Sequence, residues 1–144
     1  MTVMTTSWSA RAANPVVGEL LSRARLELDA ADATTDRPMR FLHAHMAAIR
    51  GASAVLALGG VVPRRRGRLR SVWEQLADAG PEWEPWAARF EAGARVRAAI
   101  DAGRVGDLEP AVSDDAVWAA DEFVARVAAV ARAGDAGVAA PLAS

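Results

Sequence analysis

Five stretches of this chain repeat their apolar residues at helical spacing, and nowhere is there an alternating, β-branched run long enough to start a sheet. The pattern predicts an all-α protein. Asn14-Pro15 reads as an N-cap followed by proline at the first helical position, where a missing N–H costs nothing. Val17, Leu20, Leu21, Ala24 and Leu28 then recur on one face, as far as about Asp32. A second helix is expected from a cap at Asp36 to about Leu58, stopped by Gly59-Gly60 and Pro63. Ser71 and Glu74 have capping-box spacing and open a short third helix that ends at Gly80-Pro81. The fourth covers about Glu82 to Ala102, with Trp83, Trp86, Phe90 and Ala94 on one face and Gly103 beyond it. Ser113 reads as the cap of the fifth, about Asp114 to Arg132, with Val117, Ala120, Val124, Val127 and Ala131 as its stripe.

A chain of 144 residues suits one domain and can bury roughly 68–70% of its unfolded surface, enough for a core without metal or crosslinks. Residues 14–133 are the expected folded unit, with loose ends at 1–13 and 134–144. There is no cysteine, which excludes disulfides, thiolate metal sites and thiol catalysis. The first residues lack a basic start followed by an apolar leader, and no apolar run approaches the roughly 20 residues of a membrane span, so a soluble, cytoplasmic protein is expected. The net charge of −1 carries no global signature of a polyanion binder. All 17 basic residues are arginine and alanine is in excess, as GC-rich coding produces, so the placement of arginines informs where their number does not.

Placement singles out two features. Arg64, Arg65, Arg66, Arg68 and Arg70 put five cations into seven residues just before a helix N-terminus. Guanidinium forks and free helical N–H groups suit phosphate, so this loop is the expected nucleic-acid-binding site; the bland alternative is a solvated loop that aids solubility. The second feature is Arg40 and His45, with four residues between them. Metal-free RNA cleavage needs a proton-transfer group and a cation for the phosphorane charge, which histidine and arginine supply.

The helix RFLHAHMAAIRGASAVLA, the arginine-rich loop, RSVWEQLADAGPEWEPWAARFEAGARVRAAIDAG and the closing VSDDAVWAADEFVARV together resemble the small, alanine-rich, actinobacterial branch of the HEPN superfamily. The most specific part is Arg70-Ser71-Val72-Trp73-Glu74 followed by Pro81, Trp86-Ala87, Phe90 and Ala102-Gly103. The resemblance implies a bundle of four core helices plus one short helix, paired as a homodimer. It also implies two functional classes. Many HEPN proteins are metal-independent endoribonucleases with an arginine and a histidine four to six positions later; others lack the pair and bind RNA, nucleotides or protein partners.

Two observations separate Arg40 from His45. Residues five apart on a regular helix point about 140° away from each other. On a wheel His45 falls with Leu42, Ile49, Ala52 and Leu56 on the apolar face, Arg40 falls opposite, and His43 lies with Ala47 and Arg50 on the polar border. The resemblance adds that the catalytic motif sits in a later helix, whereas this one is in the second. The expectation is therefore a non-catalytic, dimeric helical module that binds RNA, a nucleotide or a protein partner, with a toxin-like Arg-x4-His endoribonuclease as the alternative. His43 with Arg50 is a weaker pairing on the solvent side. The tryptophans are expected as core anchors before stacking platforms. Arg97, on the stripe of the fourth helix, is expected to pair with Asp121. No phosphate loop, nucleophile elbow or metal-ligand spacing is present, so neither a cofactor nor a metal is expected.

Overall fold

The structure, a computed structural model, describes the backbone of residues 2–59 and 70–139 and the side chains of residues 15–59 and 70–134. Among these residues there are five helices and no strand: α1 (Thr2–Ala33), α2 (Arg37–Leu58), α3 (Val72–Ala79), α4 (Glu84–Asp101) and α5 (Pro110–Ala139). A 3₁₀ turn, Pro81–Trp83, leads from α3 into α4.

Where a side-chain cap marks a helix start, sequence and structure agree. Asp36 Oδ2 accepts from the Met39 N–H at 3.0 Å and opens α2. At α3 the capping box closes both ways: the Glu74 N–H donates to Ser71 Oγ at 3.1 Å, and the Ser71 N–H donates to Glu74 Oε1 at 3.3 Å. Behind α4, Gly103 takes a positive φ of 72° as the Arg104 N–H donates to the Ala99 carbonyl at 2.9 Å. That left-handed residue is the reason glycine stands there.

Where proline marks the start, the expectation needs correction. α1 begins at Thr2 and contains Pro15, because a proline removes a single N–H and the helical ladder resumes on either side. α5 begins at Pro110, whose fixed φ suits a first turn, and it runs to Ala139. Ser113 is therefore no cap: its hydroxyl is buried and donates backwards to the Pro110 carbonyl at 3.1 Å. α4 likewise starts at Glu84, after the 3₁₀ turn.

α2 is the central element, with α1 and α5 packed along it and α3 and α4 covering its remaining surface. Its small residues Ala44, Ala47, Ala48, Gly51 and Ala52 are buried and let neighbouring backbones come close. Ala47, which the wheel puts on the polar border, is fully enclosed because α2 is packed on several sides at once. At Gly51 the approach is closest: a Cβ there would lie 2.9 Å from Phe123 Cε2.

Phe123 is the largest fully buried side chain and the centre of an aromatic cluster, though its helix's expected stripe does not include it. Its ring centroid lies 5.1 Å from Phe90, 5.4 Å from Trp86 and 5.9 Å from Trp83. Trp73 continues the cluster, 5.3 Å from Phe90. Trp73 and Trp83 are buried and Trp86 packs against the core, so all three are structural anchors. Such edge-to-face and tilted pairs add about 0.5–1.5 kcal/mol each beyond their buried area.

By length and composition α2 does meet the requirement for a membrane span, which the sequence reading denied to every segment. Over half of its most apolar window is buried inside the bundle, the pattern of a central packing helix.

Candidate functional site

The two residues of the Arg-x4-His pair leave α2 in different directions and meet different partners. Arg40, near the start of α2, reaches across to the ends of α1 and α5. Its Nη1 donates to the Ala31 carbonyl at 3.0 Å, and its Nε and Nη2 lie 3.3 and 3.2 Å from Asp114 Oδ1. Asp32 Oδ1 adds a longer ion pair at 3.7 Å. The guanidinium thus satisfies a carbonyl at the C-terminal end of α1 and a carboxylate in the first turns of α5, which makes it a three-helix tie.

His45 points the other way, under α3 and α4, and is only 5% exposed. Its ring stacks on Phe41, with centroids 6.0 Å apart and planes 10° apart, and meets Trp73 edge-on at 5.6 Å. Burial, helped by the Arg97 guanidinium and opposed by the Asp101 carboxylate, pushes its pKa down to about 4. At neutral pH the ring is an uncharged imidazole. It makes no hydrogen bond with another described residue, and it lines a cavity of about 290 Å³ between α2, α4 and α5.

The other sequence-derived candidates also have defined places. Among the expected phosphate ligands only Arg70 is described; Arg64, Arg65, Arg66 and Arg68 lie outside the described residues. Arg70 is engaged within α3, where its guanidinium bonds the Asp78 carboxylate and its carbonyl accepts from Gln75 Nε2 at 3.2 Å. His43 pairs with Glu27 of α1, Nδ1 donating at 2.8 Å. Arg97 bonds Asp101 one turn along α4 at 3.5 Å, which corrects the expected bridge to Asp121. Asp121 instead accepts from Arg25 of α1 at 2.7 Å. Among the described residues no three His, Asp or Glu side chains converge as a metal site. The cavity has no one-dimensional signature, since Gly93, Val112 and Ala116 draw attention only once α4 and α5 are docked.

The family model for the SAV_6107-like HEPN domain matches residues 31–128, the end of α1 through most of α5. The chain belongs to the HEPN family. No curated protein and no solved structure matches it. The match covers α2, α3 and α4 entire, so the tie made by Arg40, the aromatic cluster and the chamber around His45 are all features of this HEPN domain.

Proposed function

We propose that this HEPN domain is a non-catalytic, dimeric binding module that holds an RNA backbone through the arginine run Arg64, Arg65, Arg66, Arg68 and Arg70. The observation that carries the non-catalytic half is the divergence of Arg40 and His45. The guanidinium is spent on Ala31, Asp32 and Asp114, and the imidazole is enclosed by Phe41 and Trp73 with its pKa pushed down to about 4. A base that weak, with the Arg40 guanidinium turned away to other partners, is poorly matched to cleavage near pH 7. The binding half rests on the density of guanidinium groups in the loop before α3.

Incubating the protein with labelled single-stranded RNA in EDTA, beside a His45→Ala variant, tests the first half. No cleavage by either is expected; cleavage by the wild type that the variant loses would install the endoribonuclease in its place. Replacing Arg64, Arg65 and Arg66 with alanine is expected to weaken RNA retention and to flatten its log–log salt dependence by about 2, at roughly 0.7 per lost single-strand phosphate contact, with an unchanged melting temperature. Equal retention by both proteins removes the loop from the proposal.

The partner proposed for dimerisation is a second copy of this chain. Trp118 on α5 is 58% exposed, with Arg89 lying over its ring at 5.5 Å, and Val112 is exposed on the same helix. An exposed tryptophan beside an arginine is the composition favoured in interface cores. Sedimentation at micromolar concentration is expected to give the mass of two chains, and Trp118→Glu to give that of one. A wild-type mass of one chain refutes the dimer.

A further inference from the structure

We propose that the cavity between α2, α4 and α5 is a binding site for a small uncharged heteroaromatic molecule of one or two fused rings, whose N–H is accepted by the His45 imidazole. The proposal does not depend on RNA binding by the arginine loop.

Three observations point to that ligand class. The first is the unpartnered imidazole. His45 is buried and hydrogen-bonded to nothing among the described residues, yet it lines the cavity. With no described partner and its nitrogens not sealed in the core, the ring is left to take a bond from whatever occupies the cavity. A water at this nitrogen would find no second polar partner on the walls beside it, Phe41 and Gly93, whereas a guest reaching towards Arg89 and Asp115 can span the cavity.

The second is the opening beside the ring. Gly93 of α4 has no side chain, and a Cβ placed there would lie 3.5 Å from His45 Nδ1 and 3.6 Å from Phe41 Cζ. Its absence leaves the nitrogen edge of the imidazole bordering empty space.

The third is size and charge. About 290 Å³ is at the small end of organic-ligand pockets, roughly 300–1,000 Å³, which suits one or two rings and excludes a polymer. Flat walls from Phe41 and Phe90 favour a flat guest. The rim carries one cation, Arg89, and one anion, Asp115, so the mouth selects neither sign. A charged guest would have to shed water against an apolar wall. The neutral state of His45 leaves a lone pair to accept from the guest.

Indole is the probe, with indene as its counterpart of the same shape but without the N–H. The full chain, labelled with ¹⁵N, is titrated with each at pH 7.5, and the Gly93 amide and the His45 ring nitrogens are followed. Saturable indole shifts centred on these two residues are expected, with indene bound about fivefold more weakly, the net value of one hydrogen bond near 1 kcal/mol. In His45→Phe the preference is expected to vanish, the two probes binding alike. Gly93→Leu is expected to fill the space and abolish both; should it fail to fold, Gly93→Ala, whose methyl meets only ordinary contacts, should still lower the affinity. No saturable shift with indole overturns the proposal. So do shifts centred elsewhere, equal binding of the two probes by the wild type, or a preference that survives in His45→Phe.

Discussion

Lowering the pH from 7.5 to 5 is expected to weaken this fold through His45. In the unfolded chain the imidazole has its ordinary pKa near 6.5; in the bundle, burial and the Arg97 guanidinium outweigh the Asp101 carboxylate and hold it at about 4. The unfolded chain therefore takes up the proton first as the pH falls. Stability gained from the neutral ring is intact above about pH 6.5, declines below it, and is fully lost below about pH 4. The gap between the two pKa values caps the loss at about 3 kcal/mol, and about 2 kcal/mol of it is gone by pH 5. For a chain of this length that corresponds to a melting temperature lower by roughly 4–8 °C. The assay is urea unfolding followed by circular dichroism at both pH values, for the wild type and for His45→Phe. The phenylalanine can keep the contacts with Phe41 and Trp73 but cannot bind a proton, and the carboxylates common to both proteins cancel in the comparison. The wild type should lose about 2 kcal/mol more than the variant between pH 7.5 and 5. Equal losses would refute the reasoning, as would a folded-state titration of the His45 ring by nuclear magnetic resonance with a midpoint near 6.5.

Two helical glycines should respond to alanine with opposite signs. Gly51→Ala drives a methyl to within 2.9 Å of the enclosed Phe123 ring. Overpacking of about 1–3 kcal/mol should outweigh a helix-propensity gain of up to about 1 kcal/mol, lowering the urea midpoint; a raised midpoint would contradict this. Gly93→Ala meets nothing closer than 3.5 Å and should stabilise by up to about 1 kcal/mol, which a lowered midpoint would contradict. Ser71→Ala removes the hydroxyl half of the α3 capping box and should cost about 1 kcal/mol in the same assay, with no loss counting against the cap.

Much of this HEPN bundle was written locally in the chain. The helix starts at Asp36 and Ser71, the left-handed stop at Gly103, and the stripes of Val17, Ala24 and Leu28 and of Ala120, Val124 and Val127 need only neighbours within a turn or two, so spacing and residue type suffice to place them. Proline was ambiguous, because at Pro15 and Pro110 the same residue type serves inside a helix and at its first turn. The wheel correctly turned His45 inward and Arg40 away, since the angle between two residues of one helix is set by its pitch alone. It failed at Ala47, because a wheel assumes one buried face and α2 is packed on several. What tertiary structure alone decided is which residues of different helices meet. Arg40 with Asp114, Arg25 with Asp121, Gly51 against Phe123 and the chamber beside His45 depend on how the helices cross and slide. A helical repeat carries a residue's direction, but not the distance to whatever lies opposite.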